Sequence, residues 1–159
     1  MLQSTLVRGL EQLSLIVTKT PESQLCESLG QGMFDMKTQC IVACNMALRG
    51  YLPLVGEPVE LVSVDLPGKP NLLHVIKQVS GQIHALPQID VLDASIEVVE
   101  QAGDRTLQLN QQDFVYQFVL PNFYFHISMA YAIARNTGVE LSKGDFDGLH
   151  EYQPGFSFV

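Results

Sequence analysis

Apolar residues recur three and four positions apart in several segments of this 159-residue chain, a spacing that places them on one face of a helix. The first such stripe predicts a helix over residues 2–18. Its members are Leu6, Leu10, Leu13 and Val17. Pro21 follows and prevents continuation, because proline lacks the backbone N–H that a helix interior needs. A short helical turn is expected over residues 22–29.

A second helix is predicted over residues 34–48, and its inner face carries mostly small side chains. These are Met36, Cys40, Ala43, Cys44 and Ala47. A neighbouring helix can therefore approach it closely. Gly50 is expected to end this helix, because glycine enters the left-handed conformation without strain.

Proline and glycine punctuate residues 50–70, which therefore form a long connection that crosses the helices. Pro70 suits the first turn of the next helix, where its missing N–H has no partner to lose. The stripe of this third helix is Leu72, Ile76, Val79, Ile83 and Leu86. Because Ile89 and Leu92 continue the stripe, Pro87 is predicted to kink the helix rather than to end it.

A β-hairpin is predicted next, from residues 95–99 and 106–109 around the turn-forming residues 101–104. Asn110 then resembles a helix N-cap, with Asp113 three positions on. A short helix is expected over residues 111–119. Pro121 is expected to break it and to begin a last long helix, which ends near residue 137, before Gly138.

The segment 142–159 is predicted to be an irregular tail. It is rich in glycine and contains three phenylalanines that are expected to dock it on the helices. These are Phe146, Phe156 and Phe158. The whole chain, residues 1–159, is expected to form a single, mainly helical domain, since 47% of its residues are hydrophobic and suffice for one core.

The charge balance argues against two classes of partner. Nine Lys and Arg against seventeen Asp and Glu give a net charge of −8, and the basic residues form no cluster. Nucleic acid and anionic membrane surfaces are therefore not expected as partners. No run approaches the roughly 20 apolar residues that span a bilayer. The N-terminal residues lack the pattern of a secretory leader, so a cytoplasmic location is expected.

Cys40 and Cys44 share a helix face, because they lie four positions apart. Free cysteines usually behave as small buried apolar residues, and this interpretation is favoured. A redox or metal-binding pair is the alternative. A nucleophile–base pair of Cys44 with His126 requires the two side chains to approach within hydrogen-bond distance.

His126 lies on the apolar side of the last long helix, near Phe123, Ala130 and Ile133 on a helical wheel. A histidine in a core must satisfy both ring nitrogens. The favoured interpretation is a neutral imidazole that is hydrogen-bonded to a buried partner, for which Asn122, one turn earlier, is available. The alternative is a metal ligand or an acid–base group.

The same helix resembles a known family. The stretches Leu120-Pro121-Asn122-Phe123-Tyr124-Phe125-His126 and Ala130-Tyr131-Ala132-Ile133-Ala134-Arg135, with Gly138-Val139 and Lys143-Gly144-Asp145-Phe146, resemble an uncharacterised bacterial domain-of-unknown-function family. Met33-Phe34-Asp35-Met36 with Gln39 is similar to the second-helix entry of that family. The family is similar to the DinB/YfiT-like superfamily. The resemblance implies a mainly all-α, DinB-like four-helix bundle with up-down-down-up order, a long crossover and a homodimeric assembly, in which the predicted hairpin is a small insertion.

The resemblance also implies a metal site, from which this chain departs. Superfamily members hold a metal on one histidine from the second helix and two, four positions apart, from the last helix. His126 matches the first of that pair, but Ala130 stands at the second position and the second helix contains no histidine. Its polar candidates are Asp35, Gln39 and Asn45. A divalent metal is therefore disfavoured, with His126 as its one candidate ligand, and no other cofactor is indicated.

The remaining histidines do not restore the site, since His74 and His84 are ten positions apart and His150 lies in the tail. Tyr124 and Tyr131 share a side of the last helix away from the core stripe, and an interface with a partner subunit is the favoured role.

Two functions follow as hypotheses, and the sequence does not decide whether the chain is an enzyme. The first is a dimeric binding module for a small ligand or a partner, with ligand-contact candidates His126, Asn122, Gln39 and Asp35. The alternative is a metal-dependent hydrolase or thiol transferase that uses His126.

Overall fold

Four long helices pack around one apolar core in the computed structural model, which describes residues 1–65 and 67–153. The long helices are α1 (Leu2–Lys19), α2 (Met36–Tyr51), α3 (Gly68–Ala85) and α5 (Leu120–Asn136), and the short ones are α4 (Gln111–Asp113) and α6 (Lys143–Asp147). Short 3-10 turns cover Glu22–Gln24 and Leu52–Val55, and a π-helical segment, Phe114–Val119, joins α4 to α5. The predicted mainly helical fold is confirmed.

Helices α1 and α3 run antiparallel, and side chains join them at both ends. Near the start of α1, the Gln3 amide donates to the carbonyls of Ile83 and Leu86, at 2.9 and 2.8 Å. At the other end, Lys69 Nζ donates to the carbonyls of Thr18 and Thr20, at 2.8 and 2.7 Å. Each contact satisfies carbonyls that a helix C-terminus leaves without partners.

The long crossover after α2 is fixed to that helix by one asparagine. The Asn45 side chain donates to the Val62 carbonyl at 3.0 Å and accepts from the Val62 N–H at 2.8 Å. The crossover is therefore held against α2 at Val62.

The predicted hairpin is present as strands β1 (Glu97–Ala102) and β2 (Arg105–Asn110), which pair antiparallel with Val98 opposite Leu109. Both strands are longer than predicted, because the turn needs only Gly103 and Asp104. Gly103 has a φ of +60°, as a two-residue hairpin turn requires.

Gly50 does not end α2, which continues to Tyr51. A Cβ atom at residue 50 would lie 2.2 Å from a methyl group of Val119, so the glycine serves close approach of the π-helical segment. The predicted stop was wrong because glycine has two uses, a left-handed cap and a close contact.

The predicted kink at Pro87 was also wrong, since α3 ends at Ala85 and Leu86 is extended. The Tyr51 hydroxyl donates to the Pro87 carbonyl at 2.8 Å, and Ile89 and Leu92 pack partly buried against the core from a segment without regular secondary structure. The residues that continue the helical spacing therefore reach the core without a helix.

Pro121 lies in the first turn of α5, so the predicted start of the last long helix is confirmed, but the predicted break before it is absent because the π-helical segment leads directly into α5. A proline interferes with the carbonyl four residues earlier, and the wider π-helical turn accommodates this defect. The Asn110 cap is confirmed, since its side chain accepts from the Asp113 N–H at 2.9 Å.

The tail is more regular than predicted, because Ser142 and Asp145 form a reciprocal capping box that begins α6. Phe146 docks against the core as expected. The other two docking candidates, Phe156 and Phe158, lie outside the described residues. Among the helices of the described residues, none has the length and apolar character needed to cross a membrane.

Candidate functional site

A single hydrogen bond joins the two most prominent candidate residues. Nδ1 of His126, on α5, lies 2.7 Å from Oε1 of Gln39, on α2. With the Gln39 amide oriented in this way, its oxygen accepts from Nδ1–H, and a neutral ring then keeps the lone pair on Nε2. Gln39 is 2% exposed, which makes its side chain a rigid acceptor.

His126 lies at the edge of the buried stripe of α5, not at its centre as the helical wheel suggested. The stripe is Phe123, Ile127, Ala130, Ile133 and Ala134, and the imidazole is half-buried. Partial burial removes water from the ring and lowers the pKa of His126 from its ordinary value of 6.5. The neutral imidazole with a buried partner is therefore the form that this geometry favours near neutral pH.

The other candidate side chains have local partners. Asn122, the expected partner of His126, instead donates to the Phe118 carbonyl at 2.6 Å. Asp35 caps α2 by accepting from the Thr38 N–H at 2.8 Å. These two residues therefore stabilise helix ends, and only Gln39 meets His126.

Cys40 and Cys44 are fully buried, as the favoured interpretation predicts. Burial raises the pKa of the Cys44 thiol to about 12, and burial with the nearby Cys44 and Asp35 raises that of Cys40 well above its ordinary value. Both thiols are therefore protonated at neutral pH, which makes them poor nucleophiles and poor metal ligands.

The surroundings of His126 do not form a metal donor set. Across residues 1–65 and 67–153, no group of three or more His, Cys, Asp or Glu side chains is placed to share an ion. Ala130, one turn after His126, is fully buried and has no donor atom. A zinc site needs at least three protein ligands, so the residues that surround this histidine do not fit one.

Comparison with known proteins identifies the family. The sequence matches the model of a domain of unknown function, DUF1993, over residues 2–147. The chain belongs to the DUF1993 family. No curated protein sequence matches it. Among solved structures, it is similar to a DinB family member protein from Shewanella denitrificans, with 24% sequence identity and a TM-score of 0.81. The match covers 95% of this chain and 92% of that one, so the fold of this DUF1993 domain is DinB-like.

Two tyrosines of the DUF1993 chain are partly covered by another helix of the same chain. Tyr124 and Tyr131 are half-buried, and their rings lie 6.5 and 5.7 Å from that of Phe146 on α6. The short helix α6, which the sequence analysis missed, occupies part of the surface expected to face a partner. Their role at an interface stays a prediction.

A groove between α1 and α3 is a feature that the sequence analysis did not find. It has a volume of about 740 Å³, and its lining combines five apolar side chains with seven polar or charged ones and Gly81. The signal was present in the sequence. The spacing of 3-4-3 places four residues on one helix face, namely His74, Lys77, Gly81 and His84. The distance between the two histidines alone does not reveal this shared face.

Proposed function

We propose that this DUF1993 protein is a non-enzymatic binding module, in which an amide–imidazole contact replaces the three-histidine metal site of its superfamily. The observation that carries the proposal is the 2.7 Å hydrogen bond between Gln39 and His126. A neutral amide on α2 contacts the imidazole, and this helix contains no histidine that could be the second-helix ligand implied by the resemblance. It holds the imidazole for structure rather than for catalysis.

The chemistry of the neighbouring groups supports this role. An amide oxygen is a poor ligand for a borderline-soft ion, and Ala130 offers no ligand. The thiols of Cys40 and Cys44 are protonated because burial raises their pKa values. A protein of this kind would act through its surfaces, by binding a small ligand or a partner.

The metal content of protein purified without an affinity tag tests the proposal. We expect zinc, nickel and iron well below one equivalent, both as isolated and after incubation with zinc followed by dialysis. One equivalent of metal that is retained by wild type and by His74→Gln, but lost in His126→Gln, would overturn the proposal. His74→Gln is the matched control because it removes an exposed imidazole from another helix.

One observation favours the alternative, a metal-dependent hydrolase or thiol transferase. The Gln39 contact leaves Nε2 of His126 unprotonated, and metal-bound histidines are commonly oriented by a hydrogen bond from their other nitrogen. This function requires metal bound through His126, so the same measurement distinguishes the two proposals.

A further inference from the structure

We propose that the groove between α1 and α3 binds a small organic carboxylate with an apolar body. The site is separate from the Gln39–His126 pair and needs no metal. The metal content of the protein and the binding of a carboxylate are therefore independent results, and either can fail alone.

The size and floor of the groove suit such a molecule. Its volume of about 740 Å³ is typical of small-molecule sites, which run from roughly 300 to 1,000 Å³. Leu10 and Ile76 are fully buried beneath it, and the half-buried Val7 and Leu73 extend the apolar surface. An alkyl or aryl body would cover apolar area that water now contacts.

One wall of the groove offers a row of nitrogen donors. His74, Lys77 and His84 lie three and seven positions apart along one face of α3, and all three line the groove. At 1.5 Å per residue, the row is about 15 Å long, enough for a medium-chain carboxylate. Within the part of the chain that the structure describes, no hydrogen bond or ion pair occupies these three side-chain heads.

Gly81 opens the middle of this wall. It lies inside α3, where a glycine is less favourable than alanine by about 1 kcal/mol. A Cβ atom added here would meet no atom within 4 Å, so close packing does not require a glycine at this position. Because residue 81 has no side chain, space remains between Lys77 and His84, where a carboxylate can approach the helix closely.

The charges along α3 select an anion over a neutral molecule. This helix contains Lys69 and Lys77 and no acidic residue, although the chain carries a net charge of −8. Across the groove, Glu11 on α1 supplies the one carboxylate of the lining. An anionic head is therefore expected against the α3 wall, away from Glu11.

Titration of the ¹⁵N-labelled protein with octanoate tests this site, with octan-1-ol as the neutral probe of equal length. We expect saturable shifts of backbone amide signals in α1 and α3, and tighter binding of octanoate than of octan-1-ol. Lys77→Gln should weaken octanoate binding about two- to fivefold, the effect of one exposed ion pair. Glu11→Gln should strengthen it. Neither change should alter binding of octan-1-ol.

A variant that fills the groove tests the proposal more stringently than a change of charge does. Gly81→Leu places a side chain in open space, so the protein should fold, and octanoate affinity should fall about tenfold or more. Gln82→Leu adds the same side chain at an exposed position of α3 that does not line the groove, and Lys37→Gln removes a charge from α2. Both controls should bind octanoate as wild type does.

Any of several results would overturn the proposal. The first is that octanoate shows no saturable binding. The second is that Gly81→Leu binds octanoate as wild type does, and another is that octan-1-ol binds as tightly as octanoate. The last is a dimer in sedimentation experiments that Gly81→Leu dissociates and Gln82→Leu does not. The groove would then hold a second copy of the chain.

Discussion

The Oε1 atom of Gln39 lies 2.7 Å from Nδ1 of His126 and joins α2 to α5 by one buried acceptor and one half-buried ring. Helix α2 also approaches the π-helical segment at Gly50, which faces Val119 directly before α5. The order of these contacts shows that α2 and the helical segment that ends in α5 run in opposite directions. His126 therefore lies at the interface between α2 and α5, and its protonation is expected to affect the contact between these two helices.

Acid should destabilise the protein through His126. Burial lowers the pKa of the folded-state imidazole below its ordinary value of 6.5, so the unfolded chain binds the proton more readily. The stabilising contribution is complete above 6.5 and is lost as the pH falls toward the folded-state pKa. Titration of the ring by NMR should give a midpoint below 6.5, and His126→Gln should flatten the pH dependence of unfolding over that window. A midpoint at or above 6.5 would contradict this expectation.

Removing the acceptor should weaken the fold. Gln39→Leu keeps the apolar bulk but leaves the Nδ1–H group without its partner, which costs about 1–3 kcal/mol of unfolding free energy. Gln78→Leu, at an exposed position of α3, serves as the matched control and should change stability little. Urea unfolding of the three proteins measures the difference. Equal midpoints for the two variants would show that the Gln39 contact adds nothing.

Local chemistry made some elements predictable and left others hidden. The Asn110 cap and the Gly103 turn depend on neighbouring residues alone, and both were confirmed. The predictions from Gly50 and Pro121 failed in part because neither depends on its neighbours alone. The role of Gly50 depends on the segment packed against it, and that of Pro121 on the π-helical turn that precedes it. The candidate site shows the same division: the spacing indicated that His126 faces inward, but its partner Gln39 is 87 residues away.

Two glycines should respond to alanine in opposite directions. Gly50→Ala forces a methyl group against Val119 at 2.2 Å, and such overpacking typically destabilises by about 1–3 kcal/mol. Gly81→Ala meets nothing within 4 Å and should stabilise α3 by up to about 1 kcal/mol. Thermal unfolding should therefore shift down for the first variant and up for the second. A destabilised Gly81→Ala protein would contradict the open space around residue 81.

Thiol labelling should separate the three cysteines. Cys26 is exposed, whereas Cys40 and Cys44 are fully buried with raised thiol pKa values. Native protein should react rapidly with one equivalent of a disulfide reagent at pH 8, and denatured protein with three. Cys26→Ser should remove the fast reaction. Rapid labelling of a second thiol in the native protein would show that the α2 face opens readily.

The ring nitrogen shifts of His126, measured by ¹⁵N NMR at pH 8 with and without one equivalent of zinc, test the central claim most directly. We predict a proton fixed on Nδ1, an unprotonated Nε2, and no change of either shift when zinc is added. A stoichiometric zinc-induced shift of Nε2 that the His74→Gln variant retains would show that the imidazole binds a metal, and would contradict the account.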